Sequence, residues 1–238
     1  MPDSLKVKSK YIPYIYSDEE IRKIMHYADN LTIREQKYHP TSFQLKVPMV
    51  IRVLYGCGTR LGETLSLRRK DVDFKSGTIF LKKTKFSKER VIPVHESLLV
   101  ILERYCLTLG ILHNPEAFLF PGRNPKHHYT TRQMASWFSE ILRLADIDQR
   151  EKGPHERGAC LHCFRHLFVL KSMQQLEAAG RPVDMNDLLL PTYLGHDHLI
   201  DTDQYMRFSG LQVPEAMDAF ETFTAGLIPH VEVPYEEE

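Results

Sequence analysis

One stretch breaks the helical pattern of this chain. Thr78-Ile-Phe-Leu81 and Arg90-Val-Ile-Pro-Val94 are short runs rich in β-branched and aromatic residues. Eight polar or charged-rich positions, 82–89, lie between them, which predicts a β-hairpin. Nearly everything else repeats at helical spacing. Ser17-Asp-Glu-Glu20 has the spacing of a capping box, and Ile21, Ile24, Met25 and Ala28 follow, so a helix is expected to about Asn30. A second helix is expected over Phe43–Tyr55, kinked by Pro48 or beginning there, and closed by Gly56-Cys-Gly58. Leu61, Leu65 and Leu67 continue the apolar pattern. Further helices are predicted over Glu96–Leu109 with Gly110 as the stop, and from the Thr130-Thr-Arg-Gln133 box through Leu144. Two more cover His162–Ala179, with Gly180 at the end, and Asp184–Leu194. The fold class is mainly α with one small antiparallel sheet (α+β).

With 42% apolar and 26% charged residues in 238, the chain has the composition of a folded domain. No run approaches the ~18 apolar residues of a membrane span, and Met1–Ser17 lacks a signal-peptide core. The expectation is a cytoplasmic protein. The four cysteines, Cys57, Cys106, Cys160 and Cys163, are too few for a disulfide scaffold and are read as reduced thiols. Net charge is zero, but unevenly spread. Residues 215–238 hold seven acids and no Lys or Arg, leaving residues 1–214 with 31 bases against 24 acids. Arg68–Arg90 alone has nine bases against three acids, a distribution compatible with a polyanionic partner.

Candidate chemistry sits at a few polar positions. Arg60 and Glu63, three apart, share one helical face, as do His162 and Arg165. Each pair is compatible with a surface ion pair or a helix-start decoration. A His and an Arg so placed also suit one anion, since the guanidinium fork matches phosphate. Lys85 falls in the hairpin connection, where a lysine can simply block edge pairing. Leu194-Gly-His196 is followed nine residues later by Tyr205.

Taken in order, these elements resemble the catalytic domain of the tyrosine recombinase (phage integrase) family, over about residues 12–210. Tyr55-Gly-Cys-Gly-Thr-Arg-Leu-Gly-Glu-Thr-Leu-Ser-Leu-Arg-Arg-Lys-Asp-Val-Asp73 resembles the family's first box. Leu161-His-Cys-Phe-Arg-His-Leu-Phe168 resembles the second, and Tyr193-Leu-Gly-His-Asp-His-Leu-Ile-Asp-Thr-Asp-Gln-Tyr205 the third. The resemblance implies a fold shared with type IB topoisomerases. It makes Arg60 and Arg165 the catalytic arginines, with Glu63 supporting the site. His162 and His196 become phosphate donors, Lys85 the hairpin lysine and Tyr205 the nucleophile. Lys83 or Lys88 takes the lysine's role if the hairpin register differs. Lys82, Lys83, Lys88, Arg90 and Arg68 are expected to meet DNA phosphates. Cys163 and Phe164 stand where the family usually has an acid and a leucine, and Pro191 interrupts the helix before Leu194.

The implied function is site-specific cutting and rejoining of double-stranded DNA through a 3′-phosphotyrosine, without metal or ATP. A tetramer assembled on DNA at the nucleoid is implied with it. Residues 1–214 would form the catalytic domain, and the acidic tail, 215–238, would pack on a neighbouring subunit or on its own domain. The first box begins near residue 55, so the family's separate N-terminal DNA-clamping domain is expected to be missing here, the chain being either a catalytic fragment or a naturally short member. A type IB topoisomerase-like enzyme and a non-catalytic DNA-binding relative are the alternatives. A zinc site at Cys160, His162, Cys163, His166, His196 and His198 is the rival from another class, weakened by the lack of a second paired cysteine motif.

Overall fold

The computed structural model describes residues 13–31, 43–82, 89–148, 158–178 and 193. Six helices and a three-stranded sheet are formed within these ranges.

Helix α1 (Asp18–Asp29) starts at the predicted capping box. The Glu20 amide donates to Ser17 Oγ at 3.2 Å, and the Ser17 amide donates to the Glu20 carboxylate at 2.8 Å. This satisfies two of the donors that a helix start leaves open. Ile21, Ile24 and Ala28 are buried along the inner face.

Helix α2 (Phe43–Cys57) is the central element, in contact with α1 and with the later helices. Ten of its residues are buried, which explains its nearly continuous apolar sequence. Pro48 neither starts nor ends it; the helix runs on through the proline to Cys57. The lost donor and the ring's crowding disfavour such a position, and burial of the flanking Val47, Met49, Val50 and Ile51 holds it in place.

Helix α3 (Leu61–Ser66) leads through a 3-10 turn (Arg69–Asp71) into the sheet. Strands β1 (Val72–Asp73), β2 (Thr78–Leu81) and β3 (Arg90–Pro93) pair antiparallel in that order. The predicted hairpin is present, with Ile79 opposite Ile92 and Leu81 opposite Arg90. Ile79, Leu81 and Ile92 face the core, while Phe80 and Val91 face out.

Helix α4 (Glu96–Thr108) is followed by Gly110 at φ +67°, and α5 (Thr131–Leu144) opens on the predicted Thr130–Gln133 box. Trp137 of α5 packs edge-on against Phe43 and Tyr129, with ring centroids 4.6 and 4.8 Å away. Helix α6 (Cys163–Ala178) lies against α2. The predicted helix over Asp184–Leu194 and the acidic tail lie outside the described residues, Tyr193 excepted.

Candidate active site

The site is organised by the turn between α2 and α3. Gly58 holds φ +58°, a conformation that a side chain disfavours. A Cβ there would lie 2.4 Å from Cδ1 of Phe168, on α6. Glycine therefore lets α6 approach the turn. Arg165, also on α6, is only 2% exposed, and its Nη1 donates to the Gly58 carbonyl at 3.0 Å. The two arginines singled out in the sequence, 105 positions apart, thus meet at one turn, with the Arg165 guanidinium two residues from Arg60.

Glu63 is the electrostatic centre of this turn. It is 4% exposed and accepts four charge-assisted or backbone hydrogen bonds. The Arg60 amide donates to Oε2 at 2.9 Å and Arg60 Nη1 to Oε1 at 3.1 Å. Arg90 Nη1 and Nη2 reach Oε1 and Oε2 at 3.1 and 3.0 Å, a two-pronged pairing. Burial by itself would raise the carboxyl pKa. The Arg90 fork, the Arg60 amide and the two positive charges outweigh it and hold Glu63 at about 2. Glu63 is therefore a permanent anion that fixes two cations. The Arg60 side chain retains 30% exposure and the Arg90 side chain 9%.

This placement corrects the expectation for Arg90. The resemblance makes it a DNA-phosphate contact. Instead it points inward, grips Glu63, and donates through Nε to the Tyr193 carbonyl at 2.6 Å. Its fork is occupied by a carboxylate, so it positions other residues. The signal was present in the strand alternation, since Arg90 and the buried Ile92 share one face of β3.

Tyr193 stands immediately before the Leu194-Gly-His196 segment. Its hydroxyl donates to the Cys57 carbonyl at 3.0 Å, and its ring stacks on Phe168 at 5.3 Å and 17°. Burial pushes its phenol above the ordinary tyrosine range, so it remains a neutral anchor. Its place at the site was not foreseen. Cys57, Tyr193, Arg90, Glu63 and Arg60 form one hydrogen-bonded set, joined through the Cys57–Gly58 peptide to the Arg165 contact.

His162 lies at the start of α6, on the turn whose carbonyl accepts from the Arg165 amide at 3.0 Å. His162 is exposed although Arg165 is buried. Its ring meets that of the buried His166 edge-on at 4.8 Å. An exposed imidazole one turn ahead of a buried arginine suits a ligand approaching from solvent.

The remaining cations predicted to contact DNA differ in setting. Lys82 pairs with Asp71 at 2.8 Å while 44% exposed. Arg68 lies over the Phe118 ring at 4.3 Å and 3.6 Å from Glu116, with 33% exposure. Lys83, Lys85, Lys88, His196 and Tyr205 lie outside the described residues. The Cys160 and Cys163 sulfurs are 3.5 Å apart, but the described residues contain no cluster of three or more His, Cys, Asp or Glu arranged to hold a metal. No helix among the described residues is long and apolar enough to cross a membrane.

The chain is similar to known proteins in sequence and in fold. The chain is 28% identical over 219 residues to a putative integrase/recombinase, y4rB, of Sinorhizobium fredii, covering 88% of this chain and 66% of that one. It is 25% identical over 209 residues to the tyrosine recombinase XerA of Pyrococcus horikoshii, covering 88% and 62%. The chain therefore spans a little under two thirds of these relatives. In structure it resembles the XerH site-specific recombinase bound to palindromic difH substrate in a post-cleavage complex, with a TM-score of 0.64 and 19% identity. That match covers 94% of this chain and 55% of that one. The model of the phage integrase family matches residues 15–209. Because that match spans most of the chain, this chain belongs to the phage integrase family.

Proposed function

We propose that the chain cuts and rejoins double-stranded DNA at specific sites, as the catalytic domain of a tyrosine recombinase. The observation that carries this reading is the convergence of Arg60 and Arg165 on the turn at Gly58, with Glu63 fixing Arg60. A backbone phosphodiester carries one negative charge, and in-line attack builds a pentavalent centre with about one more. Guanidinium groups held in place before the reaction stabilise that charge without reorganising. Arg60 and Arg165 supply it, and His162 and His196 add donors to the same oxygens.

Tyr205 is the nucleophile in this reading. A phenol with a pKa of about 10 is ionised in only about one molecule in a thousand at pH 7, so its proton leaves during attack, and His162 helps to accept it. The phosphorus–oxygen bond to the 5′ oxygen breaks as the bond to the tyrosine oxygen forms. Lys85 protonates the departing 5′ oxygen as general acid. The 3′-phosphotyrosine conserves the bond energy. A 5′-hydroxyl from another strand then attacks it and releases Tyr205, so the exchange needs neither ATP nor a metal. Lys82, Lys83, Lys88 and Arg68 meet flanking phosphates. Four subunits act on paired sites, the segment after Pro214 reaches a neighbour, and the protein works on DNA in the cytoplasm, at the nucleoid.

The test is trapping on a nicked suicide substrate, whose cut releases a short fragment and prevents rejoining. The wild-type chain should form a covalent protein–DNA species, and Tyr205→Phe should bind the same DNA without forming it. An undiminished adduct in Tyr205→Phe would refute the reading. Relaxation of a supercoiled plasmid with no site requirement would favour a topoisomerase.

A further inference from the structure

The start of α6 carries a pair of neighbouring thiols that the recombination reading does not use. Cys160 and Cys163 flank His162, and their sulfurs lie 3.5 Å apart. A disulfide bond is about 2.05 Å long, so closure requires an approach of about 1.5 Å. The turn is already shaped for it. The Cys160 carbonyl accepts from the Cys163 amide at 3.0 Å and from the Tyr16 hydroxyl at 3.0 Å, so the turn is anchored from within and from the buried ring of Tyr16. The two thiols differ in access: Cys160 is exposed, and Cys163 is 1% exposed. Hydrogen bonding to the Cys160 sulfur, together with burial, holds the proton on Cys163. One sulfur is thus accessible to a reagent, and the other waits behind it. Cys57 and Cys106 are both buried and have no such partner arrangement among the described residues.

We propose that Cys160 and Cys163 form a reversible dithiol–disulfide site, oxidised by a low-molecular-weight disulfide, and that its closure clamps the turn presenting His162. Cys160, as thiolate, attacks one sulfur of the small disulfide. That S–S bond breaks, one small thiolate leaves and takes up a proton, and Cys160 carries a mixed disulfide. Cys163 then gives up its proton and attacks the Cys160 sulfur, expelling the second small thiol. The balance is two protein thiols and one small disulfide converted to one protein disulfide and two small thiols. The chain chemistry stands apart from the role of His162 in DNA cleavage, and so does its test.

The 238-residue chain would be equilibrated with mixtures of oxidised and reduced glutathione, alkylated and digested with trypsin. Residues 158–165 form one peptide containing both cysteines. The wild-type peptide should lose two hydrogens in oxidising mixtures and regain them with excess reduced glutathione. Cys163→Ser should leave Cys160 holding the mixed disulfide, and Cys160→Ser should leave Cys163 unmodified. In the closed form, amide hydrogen exchange across residues 161–166 should slow several-fold. A wild-type peptide that stays unmodified, or keeps the glutathione adduct without closing, overturns the proposal. So does closure with unchanged exchange. Each outcome is read without DNA, so failure here is separate from failure of the recombinase reading.

Discussion

Replacing Arg90 with methionine tests the electrostatic core of the site. The substitution keeps an extended side chain but removes both prongs on Glu63 and the donor to the Tyr193 carbonyl. Glu63 sits at about 2 in the folded chain against an ordinary value of 4.5. At about 1.4 kcal/mol per tenfold change in proton affinity, that difference corresponds to about 3 kcal/mol of stability. Water on the Arg60 side, 30% exposed, screens part of it, so about 2 kcal/mol is expected from the charge interactions. The sign follows from the depressed pKa. The stabilisation is complete above pH 4.5 and is lost as pH falls through that value towards 2. In Arg90→Met the carboxyl moves back towards its ordinary range, and this dependence weakens. Urea unfolding at several pH values is the assay. Because the Arg60 bonds to Glu63 remain, the wild-type advantage should be about 1–2 kcal/mol at pH 7 and shrink steadily between pH 4.5 and 2.5. An advantage that is constant with pH, or below about 0.5 kcal/mol at pH 7, would refute the assignment of Arg90 to Glu63.

Two other predictions concern the turn and the chemistry. Gly58→Ala combines a disfavoured φ with a 2.4 Å approach to Phe168, and should cost about 2–4 kcal/mol by denaturant unfolding, with strand cleavage falling further than folded content. Lys85→Ala should cleave ordinary DNA at least about a hundredfold more slowly, and a 5′-bridging phosphorothiolate, whose leaving group needs no proton, should restore the rate. Absence of rescue would remove Lys85 from the acid role.

What the sequence revealed depended on how local the signal was. The capping boxes at Ser17 and Thr130 and the hairpin Thr78–Leu81/Arg90–Val94 each need only a few neighbouring residues, and the structure has them. Strand β1 is two residues long, too short to alternate visibly. The single bridges joining Arg68 to Phe118 and Pro121 to His128 link segments whose pairing no local pattern encodes. The helix expected from Phe43 is present with Pro48 inside it, and burial of its neighbours offsets the local cost of the proline. At the site, Arg60, Glu63, His162 and Arg165 were picked out by spacing and family resemblance. Arg90 and Tyr193 were misjudged or missed, because charge in a basic run resembles a solvated face and a buried tyrosine resembles packing. Their roles exist only once β3, α3 and the residue before Leu194 are brought together.

The Arg90 side chain also has a mechanical meaning. It is the first residue of β3, where the chain returns from the segment bearing Lys85. Any tug along that strand reaches three bonds at once, two on Glu63 and one on Tyr193. The strand cannot slide without dragging the anion that aims Arg60 or the peptide that leads to His196. A displacement of β3 and a displacement of the carboxylate that holds Arg60 are then movements of a single linkage.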